Sequence, residues 1–146
     1  MGNKLGITVD LFDRARREAL EKRKLQQNEE EHQSVQRMIE VDLPRTFPRL
    51  SLFQKEGTFY AQVGEVLEAF AAYNPHLGYV QGMSFLAGML MLHMDQFHSF
   101  QCLCNLLNNH FFISLYKLNI KEANKPLFFP CLLFQVCQPF FPVCRF

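Results

Sequence analysis

The sequence predicts an all-α fold, on three observations. Apolar residues recur at three- and four-residue spacing over most of the first 109 residues, and no strand-like alternation competes with them. Residues 79–94 carry no charge at all, as expected of a helix inside a core. With 146 residues, 49% of them hydrophobic, the chain has enough apolar side chain for one domain around one core.

The elements follow in order. Thr8 is a candidate N-cap for a first helix reaching about Gln26, in which Val9, Leu11, Phe12, Ala15 and Leu20 lie among charges as an amphipathic surface helix does. Residues 26–33 are polar and read as a loop. A second, short helix is predicted from Ser34, with Val35, Met38 and Ile39 at i, i+3, i+4, and Pro44 requires it to stop. Arg45 then falls at a helix-to-loop junction. Thr58 is the candidate cap of a third helix to Tyr73, with Val63, Val66, Leu67 and Phe70 on one stripe and Asn74-Pro75 ending it. The uncharged helix is expected directly after Gly78, with Gly82 and Gly88 allowing a neighbouring backbone to approach. A last helix spans Asp95 to about Asn109, with Phe97, Phe100, Leu103, Leu106 and Leu107 facing in.

From Lys125 the character changes. Residues 125–146 hold four prolines, three cysteines and six phenylalanines, with no acid. As a membrane helix, the segment would gain about 5 kcal/mol from its Leu, Val and Phe side chains. Three prolines beyond the first turn cost roughly 3 kcal/mol each in a soluble helix interior, so disruption wins. The expected division is 1–124 as the folded part and 125–146 as a disordered or loosely collapsed tail.

Composition excludes several classes. A net charge of +1 gives no broad field for nucleic acid or an acidic membrane. The sixteen uncharged residues fall short of a transmembrane span and include Gln81, Ser84 and His93. Five cysteines, an odd number, with Lys4, Asp10 and Asp13 interrupting any secretory pattern, point to a reducing, cytoplasmic setting. Met1-Gly2 does not complete a myristoylation pattern, because Gly6 stands where Ser or Thr is required. His93, His98, Cys102 and Cys104 are zinc-ligand types, but their spacings do not converge on one helix face and no CxxC pair exists. No GxxxxGK[ST] string is present to hold a nucleotide.

The specific chemical signal is a pair of strings. Ile39-x-x-Asp42-x-x-Arg45 is followed, thirty-six residues after its arginine, by Gln81 within Gly78-Tyr79-Val80-Gln81-Gly82-Met83. An arginine brings a permanent forked cation to phosphoryl oxygens, and a glutamine amide both donates to phosphate and accepts from an attacking water. Such a pair suits hydrolysis of a nucleotide held by another protein, where catalysis is positioning plus charge neutralisation. Taken alone, Arg45 reads as a solvated surface arginine or a partner of Asp42, since isolated surface charges usually carry no function, and Gln81 as a polar residue where a buried helix reaches the surface.

The strings IEVDLPR and GYVQGM resemble the paired IxxDxxR and YxQ motifs of TBC-domain proteins, the GTPase-activating proteins for Rab GTPases. RTFP, YNPHLGYVQGMSF and the opening GNKLGIT are similar to that family too, and the resemblance covers about residues 2–120. It implies the amino-terminal half of an all-α TBC domain, the rest replaced by an unrelated tail from a splice product or truncated frame. Arg45 would be the arginine finger and Gln81 the glutamine finger, both acting in trans. Asp42 would orient the guanidinium or cap the turn, Ile39 would anchor the helix, and Tyr79 and Gly82 would support the glutamine loop. The implied partner is a Rab-type GTPase that itself holds GTP and magnesium, so no cofactor is expected in this chain. The setting is vesicle trafficking, on endosomal or Golgi membranes through the Rab. With half the docking surface missing, the resemblance implies impaired activity, with a non-catalytic Rab- or protein-interaction fragment as the rival. Weak self-association through exposed apolar surface is also expected.

Overall fold

Everything in the folded region is arranged around α3 (Thr58–Tyr73). Val63, Val66, Leu67, Ala69 and Phe70 of its stripe are all at most 1% exposed. Burying a side chain of this size stabilises by roughly 1.5–3 kcal/mol. In the computed structural model, residues 3–25 and 30–108 are described, and they fall within one unit, Met1–Asn109. The expected tail at 125–146 lies outside the described residues.

Five α-helices are present among the described residues: α1 (Val9–Leu25), α2 (Glu30–Asp42), α3, α4 (Met83–Met91) and α5 (Gln96–Leu107), with one-turn 3-10 helices at Leu43–Arg45 and Ser51–Phe53. No strand occurs among them, so the fold is all-α. α1, α2, α4 and α5 each pack on α3. Phe100 of α5, fully buried, ties three helices together: its ring lies 4.8 Å from Phe12 of α1 and 5.9 Å from Tyr73 of α3. Ahead of α1, the Asn3 side chain brackets both backbone groups of Ile7 at 2.8 and 2.9 Å, and Gln101 of α5 donates to the same carbonyl at 3.0 Å.

The elements differ from expectation at four places. α2 begins at Glu30 rather than Ser34. Thr58 is the first residue of α3 and not its cap; Gly57 holds the cap position without a side-chain bond. In α1 the inward line is Phe12, Ala15 and Ala19, leaving Val9 and Leu20 exposed, because the four-residue steps of the helix carry those two off the α3 face. The uncharged helix is nine residues long and starts at Met83, so Tyr79 to Gly82 are not helical. Gly82 sits at φ +93°, a left-handed conformation that no α-helix contains, and this stops α4 from extending backward. No helix among the described residues is long and apolar enough to cross a membrane.

Asp95 caps α5, its Oδ1 accepting from the His98 backbone N–H at 3.0 Å while Oδ2 meets the His98 ring. That backbone bond first, and the ring bond second, hold the carboxyl below its ordinary value. Asp95→Ala should therefore lower stability by about 1 kcal/mol in urea melts at neutral pH. A depressed carboxyl contributes stability above its unfolded value and loses it as pH falls, so the gap between the two proteins should narrow in acid. An equal gap at both pH values would show that the ionised cap is not responsible.

Candidate functional site

Three buried positions, Ile39, Asp42 and Leu43, prepare the first half of the site. Ile39 is 1% exposed and anchors the last turn of α2, and Asp42 and Leu43 follow it into the interior. Pro44, with no N–H to lose, sits in the first turn of the 3-10 helix that runs from Leu43 to Arg45. Thr46 then returns fully to the interior, where its Oγ1 donates to the Asp42 carbonyl at 2.9 Å. Arg45 is thus the exposed residue between half-buried Pro44 and buried Thr46, and it makes no hydrogen bond or ion pair among the described residues.

The second half comes from the turn between α3 and α4. Tyr79 is buried, and its phenol donates to Asp42 Oδ2 at 2.7 Å. The Gly82 backbone N–H donates to the same oxygen at 3.0 Å. One carboxylate oxygen therefore joins two segments that lie about forty residues apart in the chain. Hydrogen bonds to a charged group are worth about 1.5–3 kcal/mol net, so this is a strong fastening. Gln81, between Tyr79 and Gly82, is exposed and makes no hydrogen bond among the described residues.

Asp42 does not bond the Arg45 guanidinium; its carboxylate is taken up by Tyr79 and Gly82. Tyr79 is held away from proton chemistry, since burial, and then the bond to Asp42, push its phenol well above the ordinary value. Gly82 supplies both a donated N–H and the positive φ, and a side chain would be strained there.

Two neighbours of Arg45 escaped the sequence reading. Thr46 locks the turn through a hydroxyl bond to the carbonyl four residues back, a spacing at which threonine is known to bond backbone, and that was the available signal. Phe47 sits at φ +47°, the one non-glycine residue with positive φ among the described residues. For such a residue the left-handed region costs roughly 1–2 kcal/mol. Its ring packs 5.3 Å from Phe53 and 5.5 Å, edge-on, from Phe85. Nothing in the local sequence signals this conformation.

The zinc-type residues are not gathered: among the described residues no group of three or more His, Cys, Asp or Glu side chains is placed to hold a metal. Cys104 is buried in α5, and burial pushes its thiol well above the ordinary value.

The comparison with known proteins agrees with this geometry. A family model described as the Rab-GTPase-TBC domain matches residues 7–138, running past residue 120 and into the stretch that begins at Lys125. TBC1 domain family member 14 of Homo sapiens is 37% identical over 121 residues, covering 74% of this chain and 18% of the relative. Member 12 of the same family from Mus musculus is 37% identical over 119 residues, covering 74% of this chain and 17% of the relative. Drainin of Dictyostelium discoideum is 39% identical over 80 residues, covering 55% of this chain and 18% of the relative. The chain thus spans under a fifth of the length of each. The family match extends over most of the sequence and takes in both strings that Asp42 joins; the chain belongs to the Rab-GTPase-TBC domain family.

Proposed function

We propose that this chain carries the two finger residues of a GTPase-activating domain for Rab-type small GTPases, Arg45 and Gln81, which act in trans on GTP and magnesium held by the partner. The observation that supports this best is the Asp42 fastening. It brings the two turns together while leaving both finger side chains exposed and without a bond among the described residues. An unbonded surface arginine or glutamine alone is ordinary; that a buried carboxylate joins the two turns carrying them is what favours a shared role. Here Arg45 would neutralise charge on the transferring phosphoryl group, and Gln81 would orient the attacking water. The chain would work in the cytoplasm, reaching endosomal or Golgi membranes through its Rab partner.

The deciding experiment is single-turnover GTP hydrolysis by a panel of Rab proteins, with and without this chain, beside a relative that carries the whole domain. The 146-residue chain by itself is expected to accelerate poorly. A finger misplaced by about 1 Å can cost roughly 10²-fold, and a partner held by part of the domain's surface is held loosely. Rates equal to those of the whole domain would refute the expected impairment. Binding of a Rab without acceleration by either protein would assign the family fold here a non-catalytic role.

A further inference from the structure

α4 begins directly after Gly82, and one turn and a half further on it presents Gly88, which is buried. A Cβ added at Gly88 would lie 3.1 Å from Phe53 Cε1, 3.2 Å from Phe47 Cε2 and 3.4 Å from Thr46 Cγ2. Two aromatic edges and a methyl group therefore close on the space that a side chain would need. Thr46 and Phe47 are consecutive, and in extended backbone consecutive side chains point to opposite sides. Both reach the same point of α4 here, and the left-handed Phe47 is what allows it.

We infer that Gly88 is a socket in α4 into which the Phe47 wedge fits, and that the two are positioning residues for Arg45; the consequence for hydrolysis rests on the finger reading above. Arg45 is held from behind by Asp42 and Leu43 and from ahead by Thr46 and Phe47. If the socket is filled, something must shift by a few tenths of an ångström. Phe53 is 1% exposed and packed against Phe59 at 5.6 Å, so it has little room. Phe47 is half-buried and gives way more readily, taking the Thr46 backbone and the Arg45 turn with it. α4 then serves both halves of the site, with its N-cap glycine in the Gln81 turn and its buried glycine setting the Arg45 turn.

Limited tryptic cleavage of the full chain tests this without any GTPase. The Arg45–Thr46 bond is shielded in the native protein because Thr46 is fully buried, whereas the bonds after Lys22, Arg23 and Lys24 at the end of α1 serve as an internal standard. Gly88→Ala and Phe47→Ala should each raise cleavage at Arg45 relative to that standard by roughly tenfold, since cleavage follows the population of the opened turn. Phe47→Leu, which removes the ring edge nearest Gly88, should bring the Gly88→Ala protein back most of the way. An unchanged ratio in both single variants, or a failure of Phe47→Leu to reverse the effect, overturns the proposal. If Gly88→Ala raises cleavage equally at every site, it has unfolded, and the ratio in Phe47→Ala then decides. Rab hydrolysis by the same variants in a protein with the whole domain separates the two ideas. A parent protein that fails to accelerate sinks the finger reading, while the cleavage ratios still settle the socket.

Discussion

In a protein carrying the whole domain, Arg45→Ala should remove most of the acceleration of Rab GTP hydrolysis, by about 10³- to 10⁵-fold if Arg45 supplies the transition-state cation. The loss should fall on the chemical step and leave Rab binding nearly intact, because an exposed side chain without a bond in the free protein contributes little until charge develops on the phosphoryl oxygens. Arg45→Lys should rescue little of it. An ammonium is a point charge on a flexible stem and cannot reproduce two parallel N–H bonds from a planar fork. Gln81→Ala is expected to cost roughly 10²- to 10³-fold, the scale for losing one preorganised donor at a reacting centre. The double variant should be little worse than Arg45→Ala, as residues acting as a unit are strongly non-additive. Single-turnover rates at saturating activator measure all of this. Near-normal rates in Arg45→Ala would remove the finger assignment.

The second large effect should come from Asp42, which touches no nucleotide in this reading. Asp42→Ala leaves the Tyr79 phenol and the Gly82 N–H without their acceptor. Each orphaned donor costs about 1–3 kcal/mol, a serious loss against a total stability of about 5–15 kcal/mol. Asp42→Asn should cost less than Asp42→Ala, because its one amide oxygen can take the Oδ2 position and accept from both donors, losing only the charge that strengthens those bonds. Tyr79→Phe removes a donor along with its need and should cost only about 1 kcal/mol. Urea melts of the two single variants and the double variant form a cycle. The coupling is expected to exceed 0.5 kcal/mol, and simple additivity would show that the bond holds nothing together. Hydrolysis in Asp42→Ala should fall as though both fingers were weakened at once.

How much of this could be read from the chain depended on whether a feature leaves a periodic trace. Val63, Val66, Leu67 and Phe70 repeat at helical spacing, so α3 and its buried face were legible, as was the end at Asn74-Pro75. Gly82 was not, because a glycine that permits close packing and one that turns the backbone left-handed are the same letter. The start of α4 was misplaced by that ambiguity. The strings around Arg45 and Gln81 were legible as types, and the family likeness joined them. The acceptor shared between them was invisible, since hydrogen bonds between residues 37 and 40 apart impose no pattern on the sequence between. Val9 and Leu20 show the converse, apolar residues of an amphipathic helix that face water rather than the core.

The Asp42 fastening also bears on the order in which the molecule can assemble. Its two bonds close loops of 37 and 40 residues, and closing a loop of that length costs roughly 3 kcal/mol of chain entropy beyond a constant. Two bonds of about 1.5–3 kcal/mol each do little more than offset that closure, and fixing the backbone of each joined residue costs about 1–2 kcal/mol more, so they do not initiate it in an unfolded chain. The docking of α3 against its neighbours must first bring the ends of the loop together, with the fastening added once most of that entropy has been lost. The paired turns are thus late passengers of the core, and any lesion that delays the burial of α3 delays them too, however far it lies from Arg45 and Gln81.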